Sequence, residues 1–422
     1  MRILSLFVSA LLLGFSWFPA DGGGPAEPGR RYRLIYNSDA NNMFQYVKPP
    51  MRPADLYPYV DEIAEAGVTT LYMCPNYGMA VNYPSEITEM IGTGLKAEQE
   101  VRVAKVAQER PSLERGVMNL KSLVAAGHDP LGLVIDRARA KGLETFITFR
   151  LNEVHWVDKP DEFPINLLLS KFWREHPQWR IGQPGDPLSQ LHRDILGPRT
   201  SPVVARWLPG GLNFAVPEVR ARRLAQLREC CQRFDIDGLD LDFQRFPMYF
   251  RPGEEAANLK TMTAWIADVR EMIRAVAKKR GRPILLSVRV MARPEQSLGL
   301  GLDPFDWAKR GLIDIVIVSH YLHNNFPLPI GEYRKRLPEH VPIYGSIEVE
   351  RKANDYRRIA KRLWQDGVDG IMMFNFFTCR DRGIEPEFGL LKELRNPKKI
   401  GPVGSEASDG RQSHFEAQTD DN

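Results

Sequence analysis

Cysteine is scarce, with four residues in a chain of 422, at positions 74, 230, 231 and 379. None forms a CxxC pair or a Cys/His cluster with zinc spacing. A zinc finger or ribbon is thereby excluded, and stability should rest on the core and not on a disulfide framework. Cys230 and Cys231 are adjacent in a helical pattern and point to different faces. Buried thiols are the simple expectation, with one disulfide as the alternative in an oxidising compartment. An excess of charge is also missing: 57 Lys and Arg stand against 53 Asp and Glu, a net charge of +4. No basic run alternates with aromatics along one element, so nothing points to nucleic acid as a partner. After the first twenty residues, no stretch reaches the roughly 18 apolar residues needed to span a bilayer. Phosphate-binding loops, GxSxG elbows and HExxH pairs are absent as well.

The N-terminus does carry a pattern. Met1-Arg2 precedes an apolar run over residues 3–18, and Pro19-Ala20-Asp21-Gly22 follows. A basic start, an apolar stretch and a small-residue exit describe a secretory signal over 1–20. Secretion or a periplasmic location is expected, with no membrane span left after cleavage. Residues 21–30 are rich in Gly and Pro and read as a linker. Residues 401–422 are polar and aperiodic, and are expected to be disordered. The folded part is 31–400. Apolar residues at 43% and charged residues at 26% fit a globular domain with a large core.

Within 31–400, short β-rich runs alternate with amphipathic helical stretches. Strands are expected at 33–36, 69–73, 145–149, 238–243, 284–290, 313–319, 342–347 and 370–374. Helices are expected at 53–66, 131–141, 218–234, 256–279, 304–310 and 355–366. Gly67, Gly142 and Gly367 stand at helix–strand joints, where a left-handed residue ends a helix. Eight strands joined by mostly helical crossovers predict an α/β fold, a (β/α)8 TIM barrel. A doubly wound sheet is the alternative, but no GxGxxG turn follows the first strand. Two long insertions, 79–119 and 153–217, follow strands 2 and 3. Both should lie on the C-terminal face, where barrel enzymes keep their sites. The second holds Trp156, Trp173, Trp179 and Trp207. These either stack on sugar rings or, more simply, pack the insertion.

Strand 4 is the sharpest signal. Alternate residues face one side, so Asp240, Asp242 and Gln244 line the inside and Leu239, Leu241 and Phe243 meet the helices. Two neighbouring carboxyls raise the pKa of at least one of them, which keeps a proton available for acid catalysis. Arg245, or Arg289 on strand 5, is positioned to pair with Asp240. A metal is the competing reading for Asp237, Asp240 and Asp242. No His-x-His accompanies them and the strand period already explains the spacing, so neither metal nor cofactor is expected.

The stretch Asp237-x-x-Asp240-x-Asp242-x-Gln244 resembles the DxxDxDxE motif of family 18 glycoside hydrolases, the chitinase-type barrels. It departs at the last position, where that family's catalytic acid is Glu and this chain has Gln244. The motif as it stands implies a non-catalytic carbohydrate-binding barrel, a chitinase-like lectin. A wider resemblance covers about 31–395. Tyr36-Asn37-Ser38-Asp39, Arg150-Leu151-Asn152-Glu153-Val154-His155, the strand-4 stretch through Arg245-Phe246-Pro247, and Met373-Phe374-Asn375 are similar to bacterial glycoside-hydrolase-like barrels of the family-10-like group. That resemblance implies a sugar-active barrel without naming a substrate.

The other strand ends supply polar candidates. On strand 7, Tyr344, Ser346 and Glu348 share parity, and Glu348 falls at the mouth. Many retaining barrel glycosidases resemble this, with an acid/base after strand 4 and a nucleophile after strand 7. Asp242 is then the leading general acid/base, Asp240 tunes its pKa, and Glu348 is the nucleophile or second carboxylate. Thr148, Arg150 and Asn152 share the inner parity of strand 3, with His155 in the loop beyond. Asp39, Arg150, Asn152, His155, Gln244, Arg245, Arg289, His320, Tyr321 and Asn375 form the expected substrate-binding set. Polar residues at nearly every strand end make a convergent site. The expected function is a glycosidase acting on a polysaccharide or oligosaccharide, with the lectin as alternative. The oligomeric state is not legible.

Overall fold

The computed structural model describes residues 32–403 except 199, 325–326, 349–351, 378–379 and 381–383. The expected signal segment and linker, Cys379 and residues 404–422 of the expected tail lie outside the described residues.

Eight strands form a closed barrel. They are β1 (Leu34–Ser38), β2 (Thr70–Met73), β3 (Glu144–Arg150), β4 (Gly238–Asp242), β5 (Leu285–Met291), β6 (Ile315–Ser319), β7 (Ile343–Ile347) and β8 (Gly370–Phe374). Neighbours in sequence pair in parallel, and β8 closes onto β1. Every strand residue is buried, as a parallel sheet covered on both faces requires. The chain is a (β/α)8 TIM barrel, as its alternating pattern predicts. The principal helices after each strand are α1 (Pro53–Glu65), α2 (Pro130–Ala140), α3 (Pro217–Arg233), α4 (Glu255–Arg280), α5 (Pro304–Lys309), α6 (Ile330–Arg336), α7 (Ala353–Gln365) and α8 (Phe388–Leu394). Gly67, Gly142 and Gly367 do adopt positive φ where α1, α2 and α7 end.

Two helices, α6 and α8, were not legible in the sequence. Each has seven residues. The β2 insertion is less irregular than its polarity suggests. It holds helices Ala97–Glu109 and Leu113–Ala125, whose buried stripes include Val103, Ala107, Val117, Leu120 and Leu123. In the β3 insertion, Trp173 and Trp207 are buried. Their indole N–H groups donate to the Gly210 carbonyl at 2.8 Å and to Asp158 at 2.6 Å. These two tryptophans pack the insertion. Cys74, Cys230 and Cys231 are buried free thiols.

The barrel interior is layered. At the N-terminal end, Arg33 pairs with Glu144 at 2.7 Å, and Thr70 and Tyr344 hydrogen-bond to that pair. Above it lies an apolar plug of Ile35, Tyr72, Phe146, Leu285, Ile315, Ile317, Tyr344 and Met372. Glycine makes room for the plug's rings. A Cβ on Gly238 would stand 2.0 Å from the Phe146 ring, and one on Gly370 would stand 2.2 Å from the Tyr344 ring. Strand register then sets the next layers. Asp240 is level with Thr148 and Ser287, and Asp242 with Arg150 and Arg289.

Gly238→Ala should therefore force Phe146 off its rotamer and cost about 1–3 kcal/mol, the usual range for overpacking. A urea midpoint unchanged from wild type would show that the plug is not close-packed at this point.

Candidate active site at the barrel mouth

Asp240 occupies the first polar layer above the plug. Its carboxyl accepts hydrogen bonds from Thr148 Oγ1 at 2.7 Å and Ser287 Oγ at 2.6 Å. Tyr72 donates in turn to Ser287 at 3.0 Å. The sequence placed an arginine beside Asp240. The structure gives it hydroxyls, because Arg289 is level with Asp242 and reaches upward. Burial, and next the charge of Asp242, push the Asp240 carboxyl up to about 7. Asp240 is fully buried, one layer below Asp242.

The mouth is organised by Arg289. Its Nη1 donates to Asp242 Oδ2 at 3.3 Å, and its Nη2 donates to Glu348 Oε1 at 2.7 Å. Nη2 also reaches Ser319 Oγ at 3.0 Å, and the guanidinium lies 3.8 Å from the centre of the Phe374 ring. One planar fork thus holds carboxyls from β4 and from the end of β7. They can be separated by no more than two hydrogen bonds and the width of the fork. That limit falls within the roughly 6.5–9.5 Å span of inverting glycosidase pairs and leaves room for the shorter retaining distance. Asp242 Oδ1 also accepts the Gln244 backbone N–H at 2.9 Å. Asn324 clamps the Glu348 backbone at both its N–H and its carbonyl, at 2.9 and 3.1 Å. Both carboxyls are nearly inaccessible, at 1% and 2% exposure. Burial dominates at Glu348 and raises its carboxyl to about 7, against the pull of Arg289 and Arg245. A single cation shared by two acids leaves one negative charge uncompensated, which favours a proton there.

A second chain of charges borders the first. Arg150 pairs with Asp39 at 2.9 Å and with Glu153 at 3.2 Å. Glu153 pairs with His155 Nδ1, and Arg245 Nη2 lies 3.1 Å from His155 Nε2. Arginine can only donate, so Nε2 is the acceptor and Nδ1 carries the proton toward Glu153. Burial lowers the His155 pKa, which agrees with a neutral ring. Burial works against ionisation of Glu153, yet His155, Arg150 and Arg245 together hold its carboxyl down at about 2. Glu153 is absent from the sequence-derived set. Its signal was an acid three residues after the inward Arg150, in a loop where strand parity no longer applies.

The remaining expected residues divide. His320, Tyr321 and Asn375 follow β6 and β8 at the mouth, and Asn375 has a positive φ of 56°. Tyr321 is buried beside Phe246 with ring centres 6.2 Å apart. Asn152 does not face a ligand. Its amide donates to the Leu212 and Met248 carbonyls at 3.1 and 2.5 Å and accepts from Leu212 N–H at 2.8 Å. All its hydrogen-bonding directions but one lone pair fasten the β3 insertion at Leu212 and the loop after β4 at Met248. Gln244 is similarly engaged: Nε2 donates to the Val290 and Ser319 carbonyls at 2.8 and 2.6 Å. A glutamate here would turn an oxygen toward two carbonyl oxygens, so the departure from DxxDxDxE has a local structural cause. Asp237 lies outside the mouth altogether. It takes Arg139, Arg282 and the Thr145 N–H at the opposite end of β4. The metal reading required Asp237 beside Asp240 and Asp242, and they are apart. Among the described residues, no three acidic, His or Cys side chains are grouped to hold a metal ion, and no helix is long and apolar enough to cross a membrane.

No family model matches the chain, and no curated protein matches it. Solved structures similar to it are glycoside hydrolases with barrel folds. An α-L-fucosidase isoenzyme 2 from Paenibacillus thiaminolyticus is 13% identical, with a TM-score of 0.48 over 87% of this chain and 49% of that one. A γ-CGTase from alkalophilic Bacillus clarkii is 12% identical, with a TM-score of 0.47 over 87% and 56%. The cell-surface-expressed multi-modular chitinase ChiW from Paenibacillus sp. strain FPU-7 is 11% identical, with a TM-score of 0.45 over 89% and 43%. This chain spans about half the length of these structures. The likeness is distant, and the assignment of the fold rests on the closed strand order itself.

Asp240 makes the pH dependence of stability testable. Its carboxyl titrates near 7 when folded and near 3.8 in the reference state. The native state therefore binds more protons between those values, and stability falls as pH rises from about 4 to about 7. Asp240→Asn should remove about 2–4 kcal/mol of that fall. Urea midpoints at pH 5 and pH 8 measure it. An equal drop in wild type and variant would mean that Asp240 does not titrate in this window.

Proposed function

We propose that the protein is an exported glycoside hydrolase that cleaves an O-glycosidic bond of a polysaccharide or oligosaccharide at the barrel mouth. The observation that carries this reading is the Asp242–Arg289–Glu348 bridge, two carboxyls from β4 and β7 held on one guanidinium. We assign the two roles in the reverse of the order expected from sequence. Glu348, with its carboxyl raised to about 7, is the proton donor. Asp242, accepting from Arg289 and the Gln244 N–H, is the carboxylate that attacks the anomeric carbon or takes a proton from water. When Glu348 gives its proton to the leaving oxygen, the new anion forms against Arg289 Nη2, already in place at 2.7 Å. A fixed cation at the site of developing charge lowers the barrier without reorganisation. Arg150, His320, Tyr321 and Asn375 border the sugar. Export rests on the signal pattern of residues 1–20.

Hydrolysis of a glycan panel tests the reading. Asp242→Asn and Glu348→Gln should each lower kcat/KM by about 100–10,000-fold. The wild-type rate should fall as pH rises above about 7, where Glu348 loses its proton, and Glu348→Gln should lack that basic limb. A drop of only a few-fold in Asp242→Asn would remove the carboxylate assignment. A wild type that binds glycans and hydrolyses none would favour the lectin that the Gln244 motif implies.

A further inference from the structure

Among the described residues, two buried arginines of the mouth, Arg150 and Arg289, stand within ion-pair distance of carboxylates, and Arg245 does not. Arg150 holds Asp39 and Glu153, and Arg289 holds Asp242 and Glu348. Arg245 is 7% exposed, yet no carboxylate among the described residues pairs with it. Its one side-chain hydrogen bond runs from Nη2 to the ring nitrogen of His155, a neutral acceptor. Its Nε is buried with no hydrogen-bond partner. Leaving a buried guanidinium unpaired is costly, and structures keep such a group mainly where a ligand completes it.

The surroundings place this cation inside the mouth. Arg245 acts on Glu153, Glu348 and the hydroxyl of Tyr321, so its charge lies between the two ion-pair chains. The Phe246 ring lies 4.8 Å from the guanidinium and screens one side of it. His155, which Arg245 contacts, is 15% exposed in its side chain, so the guanidinium is one contact below solvent. Among the described residues, the buried Tyr321 hydroxyl, on which the Arg245 charge acts, also has no hydrogen-bond partner, and neither does Ser346 Oγ on β7, two residues before Glu348. The cation thus lies near Glu153 and Glu348 without an ion-pair contact to either, and its Nε is left without an acceptor.

We infer that Arg245 determines substrate class: the mouth takes a sugar unit bearing an anionic group, a carboxylate in the first instance, which Arg245 pairs with beside the bond to be cleaved. The planar guanidinium matches a carboxylate, and its free Nε supplies an additional donor. Tyr321 and Ser346 supply neutral donors for hydroxyls of the same unit. This inference rests on the glycosidase reading for the location of the site, but it concerns binding and can fail or stand without it.

The test is binding by the full-length mature protein, measured by calorimetry on three matched oligosaccharide sets: uronic-acid oligomers, sulfated oligomers and neutral oligomers of equal length. Wild type is expected to bind the uronic-acid set about 10- to 100-fold more tightly than the neutral set, the usual value of a charge-assisted pair. That preference should shrink with added salt. Arg245→Gln should lose it, and Arg245→Lys should keep part of it. Thermal melts of both variants report whether they fold. If Arg245→Gln does not fold, the wild-type preference alone decides. Equal or tighter binding of the neutral set overturns the inference, as does binding of no set. A preference for the sulfated set alone overturns the carboxylate assignment. Preferred binding of uronic-acid oligomers without hydrolysis would sink the glycosidase reading and leave this one standing. Hydrolysis of neutral glycans only would do the reverse.

Discussion

The mouth depends on Arg289. Without it, two carboxyls would face each other in a space with almost no solvent, and neither could ionise cheaply. With it, one cation serves two acids, which fixes their positions and leaves a proton shared in the layer. The Phe374 ring against the guanidinium and Ser319 at Nη2 keep the fork planar to its partners. The arrangement is possible because of what lies beneath. Gly238 and Gly370 admit the Phe146 and Tyr344 rings, which close the barrel below the charges. Asp240 then stands between the apolar plug and the ion pairs, solvated only by the Thr148 and Ser287 hydroxyls. Each layer depends on the one beneath it.

Strand parity explains what the sequence made legible. Along β3, β4, β5 and β7 the inward set alternates with the outward set, so Thr148, Arg150, Asp240, Asp242, Arg289 and Ser346 could be placed on the inner face. Parity gives the face and not the height. It could not show that Asp240 stops one layer short of the mouth, or that Asp237, on the outward parity of Leu239, meets Arg139 and Arg282 at the other end. Beyond the last strand residue, alternation no longer holds. Asn152 and Gln244 continue the inward parity of their strands, yet both spend their amides on backbone carbonyls. A chain leaving a strand exposes carbonyls that need donors, and a neutral amide satisfies them better than a carboxyl. Glu153 was missed for the same reason, since its position depends on the path of a loop.

The same reasoning bears on the family 18 resemblance. In this chain the position after the second inward aspartate holds an amide that fastens β4 to β5 and β6. Across the mouth a second carboxyl, Glu348, stands on the same arginine as Asp242. Glu348 is raised by burial, which a carboxyl on a solvated loop would not be. Acid function depends on where the chain desolvates a carboxyl, and that is set by the packing of β7 and the Asn324 clamp. A motif read along one strand cannot report it. The unpaired Arg245 follows from the same turn after β4: the residues that leave the strand there place an amide on the wall and a cation in the opening. On the reading proposed above, what the mouth accepts follows from the donors that its own contacts leave unsatisfied, Arg245 Nε among them.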